Sequence, residues 1–182
     1  MVFVRITYVL WLIQTLYLTV TAIGTKRDTQ THLGQSFGLM FGLIASGLLP
    51  RWKPLRFVNF APVNPILSSI GLIGTLAGMG TLIWSRQTLG RNWSQTVSAK
   101  EDQELITRGP YQLVRHPMYA GGLLASISST LVAGGPFVFA TLILGPLFLW
   151  RVEAEDTLMT EQFPDTYPDY MRRTKRLVPY IW

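Results

Sequence analysis

The 182-residue chain contains no cysteine. Disulfides, thiolate nucleophiles and cysteine-ligated metals are therefore excluded, and cysteine usage says nothing of redox compartment. Histidine is nearly absent as well. His32 and His116 are the only two, too few for a histidine-rich metal centre, and no metal-ligand set is assigned. Charge is also scarce. Asp, Glu, Lys and Arg make up 14% of the residues, against roughly 25% in soluble domains. A soluble fold of this size would lack polar surface. What takes its place is apolar: 48% of the chain is hydrophobic and mean hydropathy is positive. The composition points to a single integral membrane domain over residues 1–182.

The formal net charge is +6. The cations flank apolar runs instead of forming one stripe. They read as juxtamembrane anchors rather than as a nucleic-acid surface.

The apolar runs predict an all-α polytopic bundle of about five transmembrane helices. Val2–Ile23 is interrupted by Arg5 and Gln14. It lacks a clear small-residue cleavage site, so it reads as a retained span, not a signal peptide. Gly34–Leu49 is short and sets Gly34, Gly38 and Gly42 on one face, where helices can approach closely. Asn64–Trp84 carries Gly71, Gly74, Gly78 and Gly80, with Trp84 and Arg86 at its end as expected interfacial anchors. Met118–Trp150 is too long for one span and short for two full ones. Gly134-Gly135-Pro136 within it predicts a C-terminal helical hairpin, with one long kinked helix as the alternative. Residues 1–85 thus hold three N-terminal spans, and 86–182 a second, more polar half.

With five spans, the loop after the first, the 86–117 segment and the tail from 151 share one side. That side holds twelve of the sixteen Lys and Arg residues, which assigns it to the cytoplasm.

A hairpin would return segments 86–117 and 151–182 to the same membrane face. Tyr111, Arg115, His116, Tyr119, Arg151, Glu153, Glu155 and Asp156 would then share one layer. Ionisable groups at a membrane boundary are costly unless paired or used. Each also has a bland reading. His116 before Pro117 can cap the next helix, and Arg151 with Glu155 is an i,i+4 pair that supports a helix. Tyr167 and Tyr170 suit interfacial anchors as well as ligand contacts. The Arg172–Arg176 run suits lipid headgroups.

Two composite signatures stand out. The first is Leu89-Gly-Arg-Asn-Trp-Ser94 with Leu105-Ile-Thr-Arg-Gly-Pro-Tyr-Gln-Leu-Val-Arg-His-Pro-Met-Tyr119. The second is Arg151-Val-Glu-Ala-Glu-Asp-Thr-Leu158, followed by Phe163-Pro-Asp-Thr-Tyr167, Tyr170 and Thr174-Lys-Arg-Leu-Val-Pro179. In order, spacing and side-chain type they resemble the isoprenylcysteine carboxyl methyltransferase and phospholipid methyltransferase-like membrane enzymes over about 86–182. That resemblance implies S-adenosylmethionine as methyl donor, S-adenosylhomocysteine as product, and a cofactor pocket on the cytoplasmic side. It implies that Tyr111, Val114, Arg115, His116, Pro117, Tyr119 and Glu155 bind the cofactor, and that Arg151 and Glu155 arrange the reacting groups. Asp156 stands where the family more usually has Glu, and Pro164 where it often has Gly.

The acceptor implied is lipophilic, either an isoprenylcysteine-like carboxylate or a phospholipid amine. A carboxylate is ionised at neutral pH and needs no base, and Arg151 suits a bidentate grip on it. An amine would call on a base such as Glu155. A membrane sterol-type reductase using NADPH, and a non-catalytic scaffold, are the alternatives from other classes. The expected partners are the bilayer and the lipophilic or lipidated acceptor, with no nucleic acid. Oligomeric state is not readable, since glycine-rich spans pack within one chain or between two.

Overall fold

Helices α1 (Val2–Thr21), α2 (Pro65–Leu89), α3 (Pro117–Ala133) and α4 (Gly135–Gln162) form a bundle, and a short α5 (Tyr167–Arg173) follows. The computed structural model describes residues 2–23, 25, 28–33, 64–94, 97–100 and 102–181. The expected span Gly34–Leu49, with its Gly34, Gly38 and Gly42 face, lies outside them. Helices α1, α2 and α4 are long and apolar enough to cross a bilayer, and α3 is a shorter apolar helix. The 20 residues of α1 rise about 30 Å, the thickness of a hydrocarbon core.

The helix boundaries follow from local chemistry. Asn64 Oδ1 accepts from the N–H groups of Ile66 at 2.9 Å and Leu67 at 3.4 Å, and Pro65 occupies the first turn. Pro117 opens α3 in the same way. Gly134, at φ +67°, ends α3 and hands the chain directly to α4. The 118–150 run is therefore a hairpin and not one kinked helix. Within α1, the hydroxyls of Thr7, Thr15, Thr19 and Thr21 each bond a carbonyl one turn back. Polar groups in lipid are satisfied internally in this way.

The outward faces are apolar. Val9, Leu12, Ile13 and Leu16 of α1, Ile66, Ile70 and Ile73 of α2, and Leu142 and Ile143 of α4 are all exposed. These surfaces suit lipid, and the chain is an integral membrane protein. Inside, Trp11, Met79, Ala125, Phe137, Leu144 and Phe148 build the core. Trp11 Nε1 donates to Ser129 Oγ at 3.0 Å, which lies 3.1 Å from Thr75 Oγ1.

Helices α2 and α3 meet along a seam of small residues. A Cβ added to Gly78 would lie 2.5 Å from Ala125 N and from Gly121 O, and one added to Gly121 would lie 2.6 Å from Gly78 O. Glycine lets the two backbones touch. Gly71 and Gly74 also face α3, so these three glycines pack within one chain, whereas Gly80 meets nothing within 4 Å.

The helices present their polar ends together. The Arg86 guanidinium donates to Gly90 O at 2.7 Å and also to Thr21 O, which joins the C-terminal ends of α2 and α1. The start of α3 meets the polar end of α4 through His116 and Asp156. Arg86 is thus no interfacial anchor. It is 6% exposed, drawn inward by the carbonyls at two helix ends. Trp84, half exposed, keeps an anchor's position. A two-stranded antiparallel ribbon, β1 (Asp28–Leu33) with β2 (Val97–Lys100), adds to the helical bundle, and β2 touches α4. No local hairpin signal marks this ribbon, because its strands are remote in sequence.

Candidate active site

Gly109, at φ +62°, turns the chain into the short 3-10 turn Gly109–Gln112. The turn carries Tyr111 to a buried position. The residues after it are tied to the C-terminal segment. Arg115 N–H donates to Lys175 O at 2.8 Å and His116 N–H to Arg176 O at 3.0 Å. Tyr170 Oη donates to Tyr111 O at 2.6 Å, and the Arg115 guanidinium reaches Met171 O at 3.2 Å. The tail is therefore part of the scaffold that holds the 109–116 loop.

His116 stands at the N-terminal boundary of α3 but makes no side-chain cap. This overturns the capping reading. Its Nε2 lies 2.8 Å from Asp156 Oδ1, and its Nδ1 lies 3.5 Å from Glu155 Oε2. Burial alone would push the imidazole pKa down. Hydrogen bonds to Asp156 and Glu155, with the charges of both, outweigh burial and hold it above its ordinary value. The ring bridges two carboxylates.

Those carboxylates are neighbours on α4 and so project about 100° apart. Glu155 accepts from Tyr119 Oη and, at 3.1 Å, from Arg151 Nε. Arg151 Nε also donates to Tyr119 Oη at 2.6 Å. The i,i+4 pair is real, but Tyr119 of α3 completes it as a triangle across two helices. Asp156 faces the tail. It accepts from Tyr167 Oη at 2.5 Å and Arg176 Nε at 3.0 Å, and lies 3.4 Å from Arg115 Nε. Tyr167 and Tyr170 are both buried, which removes the interfacial-anchor reading. Burial, first, and the adjacent Asp156 charge push the Tyr167 phenol well above its usual range, so it stays a donor. Arg172 is exposed and pairs with Asp169, whereas Arg176 turns inward to Asp156 and Glu153.

A cavity of about 200 Å³ opens at this layer. Tyr111, Arg115, His116, Tyr119, Arg151 and Glu155 border it. Val114 and Pro117 are buried beside it but do not line it. Tyr167 and Tyr170 also line the cavity, as do the apolar side chains Leu18, Leu82, Trp93 and Phe148. The Arg86 guanidinium lies 4.4 Å over the Trp93 ring and fixes that wall. Sequence reasoning did not place Leu18 or Phe148 here, since apolar side chains inside spans carry no local mark of a site. Trp93 lies within the first signature, and its ring beside a polar turn was the available signal.

A family model described as the isoprenylcysteine carboxyl methyltransferase (ICMT) family matches residues 70–161. The chain belongs to that family. The match begins within α2 and runs nearly to the end of α4, so it includes the small-residue seam as well as the polar layer. A protein of Oryza sativa subsp. indica named probable protein-S-isoprenylcysteine O-methyltransferase is 28% identical over 166 residues, 89% of this chain and 82% of that protein. The protein-S-isoprenylcysteine O-methyltransferase of Saccharomyces cerevisiae is 25% identical over 150 residues, covering 80% and 62%. Cobalt-zinc-cadmium resistance protein CzcN of Cupriavidus metallidurans is 30% identical over 122 residues, covering 65% and 52%. As a member of the ICMT family the chain is an enzyme of the methyltransferase class. The reductase and scaffold alternatives give way to this assignment.

Proposed function

We propose that this ICMT-family enzyme transfers the methyl group of S-adenosylmethionine to the carboxylate of an isoprenylcysteine-like acceptor, on the cytoplasmic side of the membrane. One observation carries the reading. A single cavity joins a charged cluster to apolar walls contributed by lipid-crossing helices. A lipophilic acceptor with an ionised head suits both ends.

The residues present fit the donor. When bound, S-adenosylmethionine supplies a methyl group on a sulfonium cation. The rings of Tyr111 and Tyr119 and the Glu155 carboxylate suit a cation, and Arg115 with protonated His116 suits the carboxylate of the donor's amino-acid part. Val114 and Pro117, buried beside the cavity, support the loop that borders it.

The same geometry favours a carboxylate acceptor over an amine. Glu155 is engaged by Tyr119, Arg151 and His116, so its carboxylate is occupied in orienting its neighbours. A carboxylate asks for no base. It asks for a cation in a fixed place, and Arg151 is 4% exposed and anchored by Tyr119 and Glu155 at the cavity wall. The work of the site is then alignment and exclusion of water.

The test uses purified protein in detergent with methyl-labelled S-adenosylmethionine. N-acetyl-S-farnesylcysteine and phosphatidylethanolamine are offered separately. Label on the prenylcysteine that alkali releases as methanol is the expected ester. Alkali-stable label on the phospholipid, with none on the prenylcysteine, would replace the carboxylate reading with the amine one.

A further inference from the structure

Two side chains and a glycine, from three helices, meet at one apolar wall of the cavity. Leu82 of α2 and Phe148 of α4 both line it, and both are only 3% exposed. Phe148 belongs at once to the cavity wall and to the hydrophobic core. Its ring lies 5.1 Å from that of Tyr119, a member of the Arg151–Tyr119–Glu155 triangle. Gly122 of α3 lies behind these two. A Cβ there would come 3.3 Å from Phe148 Cε2 and 3.9 Å from Leu82 Cδ1. The first distance is tight enough that Phe148 would have to give way. Beyond Phe148, one turn further along α4, Leu144 is already closed core.

We infer that Phe148 and Leu82, backed by Gly122, form a floor that measures the length of the acceptor's hydrocarbon chain. The inference rests on the proposed lipophilic acceptor and goes beyond it, because it assigns the residues that select among acceptors. A chain entering from the polar layer reaches Phe148, which belongs to both the cavity wall and the core. Removing that ring connects the cavity to space now filled by core, and a longer chain then fits. Adding bulk at Gly122 presses Phe148 and Leu82 from behind and shortens the available depth. An apolar pocket discriminates by methylenes, so each step of chain length is read as about a tenfold preference or more.

The experiment measures equilibrium binding and methyl transfer in parallel. The ligands are the S-geranyl, S-farnesyl and S-geranylgeranyl forms of N-acetylcysteine, and the proteins are wild type, Phe148→Ala, Phe148→Leu and Gly122→Ala. The expected result is a rise of about tenfold in the geranylgeranyl-to-geranyl affinity ratio for Phe148→Ala, with a smaller rise for Phe148→Leu. Gly122→Ala should lower the ratio. Phe148→Leu keeps most of the core volume, so it carries the test if Phe148→Ala does not yield monodisperse protein. Unchanged ratios in the well-folded variants, or no binding of any ligand to folded wild type, would overturn the inference. Shifted binding ratios without methyl transfer would leave the floor standing and overturn only the proposed reaction.

Discussion

Glu155 and Asp156 are consecutive carboxylates on one helix, yet they serve two different regions. Glu155 faces the cavity, with its side chain 26% exposed, and is held by Tyr119 and Arg151. Asp156 faces the tail, with its side chain 7% exposed, and gathers His116, Tyr167, Arg176 and Arg115. One carboxylate borders the cavity and the other ties the C-terminal segment to the loop that builds it. The difference shows that adjacent charges in a motif need not share a role. Helical geometry alone turns one toward the cavity and one toward the scaffold.

The largest expected effect lies on the scaffold side. Asp156→Ala leaves the 9%-exposed Arg115 side chain without its carboxylate and removes the acceptor of Tyr167 and one carboxylate partner of Arg176. Removing one partner of a buried ion pair costs about 3–5 kcal/mol. Thermal unfolding in detergent should show a loss of that order, with activity falling in step with the folded fraction. A variant of wild-type stability but no turnover would move Asp156 into the reacting region.

Arg151→Ala should do the reverse. It removes the cation nearest the proposed acceptor and is expected to lower kcat by about 10²–10³-fold, the scale of losing one preorganised charge-stabilising donor. Affinity for S-adenosylhomocysteine, measured by calorimetry, should be largely kept. If product affinity falls as far as kcat, Arg151 belongs to cofactor binding and the contrast between the two carboxylates must be redrawn.

How much of this was legible beforehand follows the same division. The polar layer could be read because its residues sit in two signatures on either side of a Gly134-Gly135 break, and a hairpin must bring them together. The bundle could be read because apolar length reports on lipid directly. Arg86 was misread because a cation at a span's end looks the same whether it reaches outward or caps two neighbouring helix ends. Val114 and Pro117 fall inside the signature, yet they hold its backbone rather than border the cavity. The β1–β2 ribbon was invisible because its register depends on a partner strand far along the chain. Phe148 and Leu82 look like any other buried residues of a span, and only the packing of three helices separates them.

The α2–α3 seam supplies a reference for the contribution of packing alone. Gly78→Val places its Cβ 2.5 Å from backbone atoms of Ala125 and Gly121. Neither can yield without parting the helices. Overpacking of this kind costs about 1–3 kcal/mol. The melting temperature should drop while KM for the acceptor in the surviving folded enzyme stays near wild type. A changed KM would mean that the seam sets the cavity walls as well as the fold.

The smallest effect concerns His116, whose ring reaches both carboxylates. Its folded-state pKa is raised above 6.5 by the two carboxylates it bridges. The stabilisation it contributes is therefore fully present below pH 6.5 and is lost as pH rises through the higher folded-state value. The melting temperature of wild type should decline as pH rises through that window. His116→Gln, which cannot carry the proton, should flatten the decline. Nε2 sits 2.8 Å from Asp156 while Nδ1 sits 3.5 Å from Glu155, so deprotonation is expected to show more in stability than in kcat. A pH profile in which kcat falls while the melting temperature holds would place the bridging proton on the Glu155 side, and would make His116 part of the reacting layer instead of the hinge between the two.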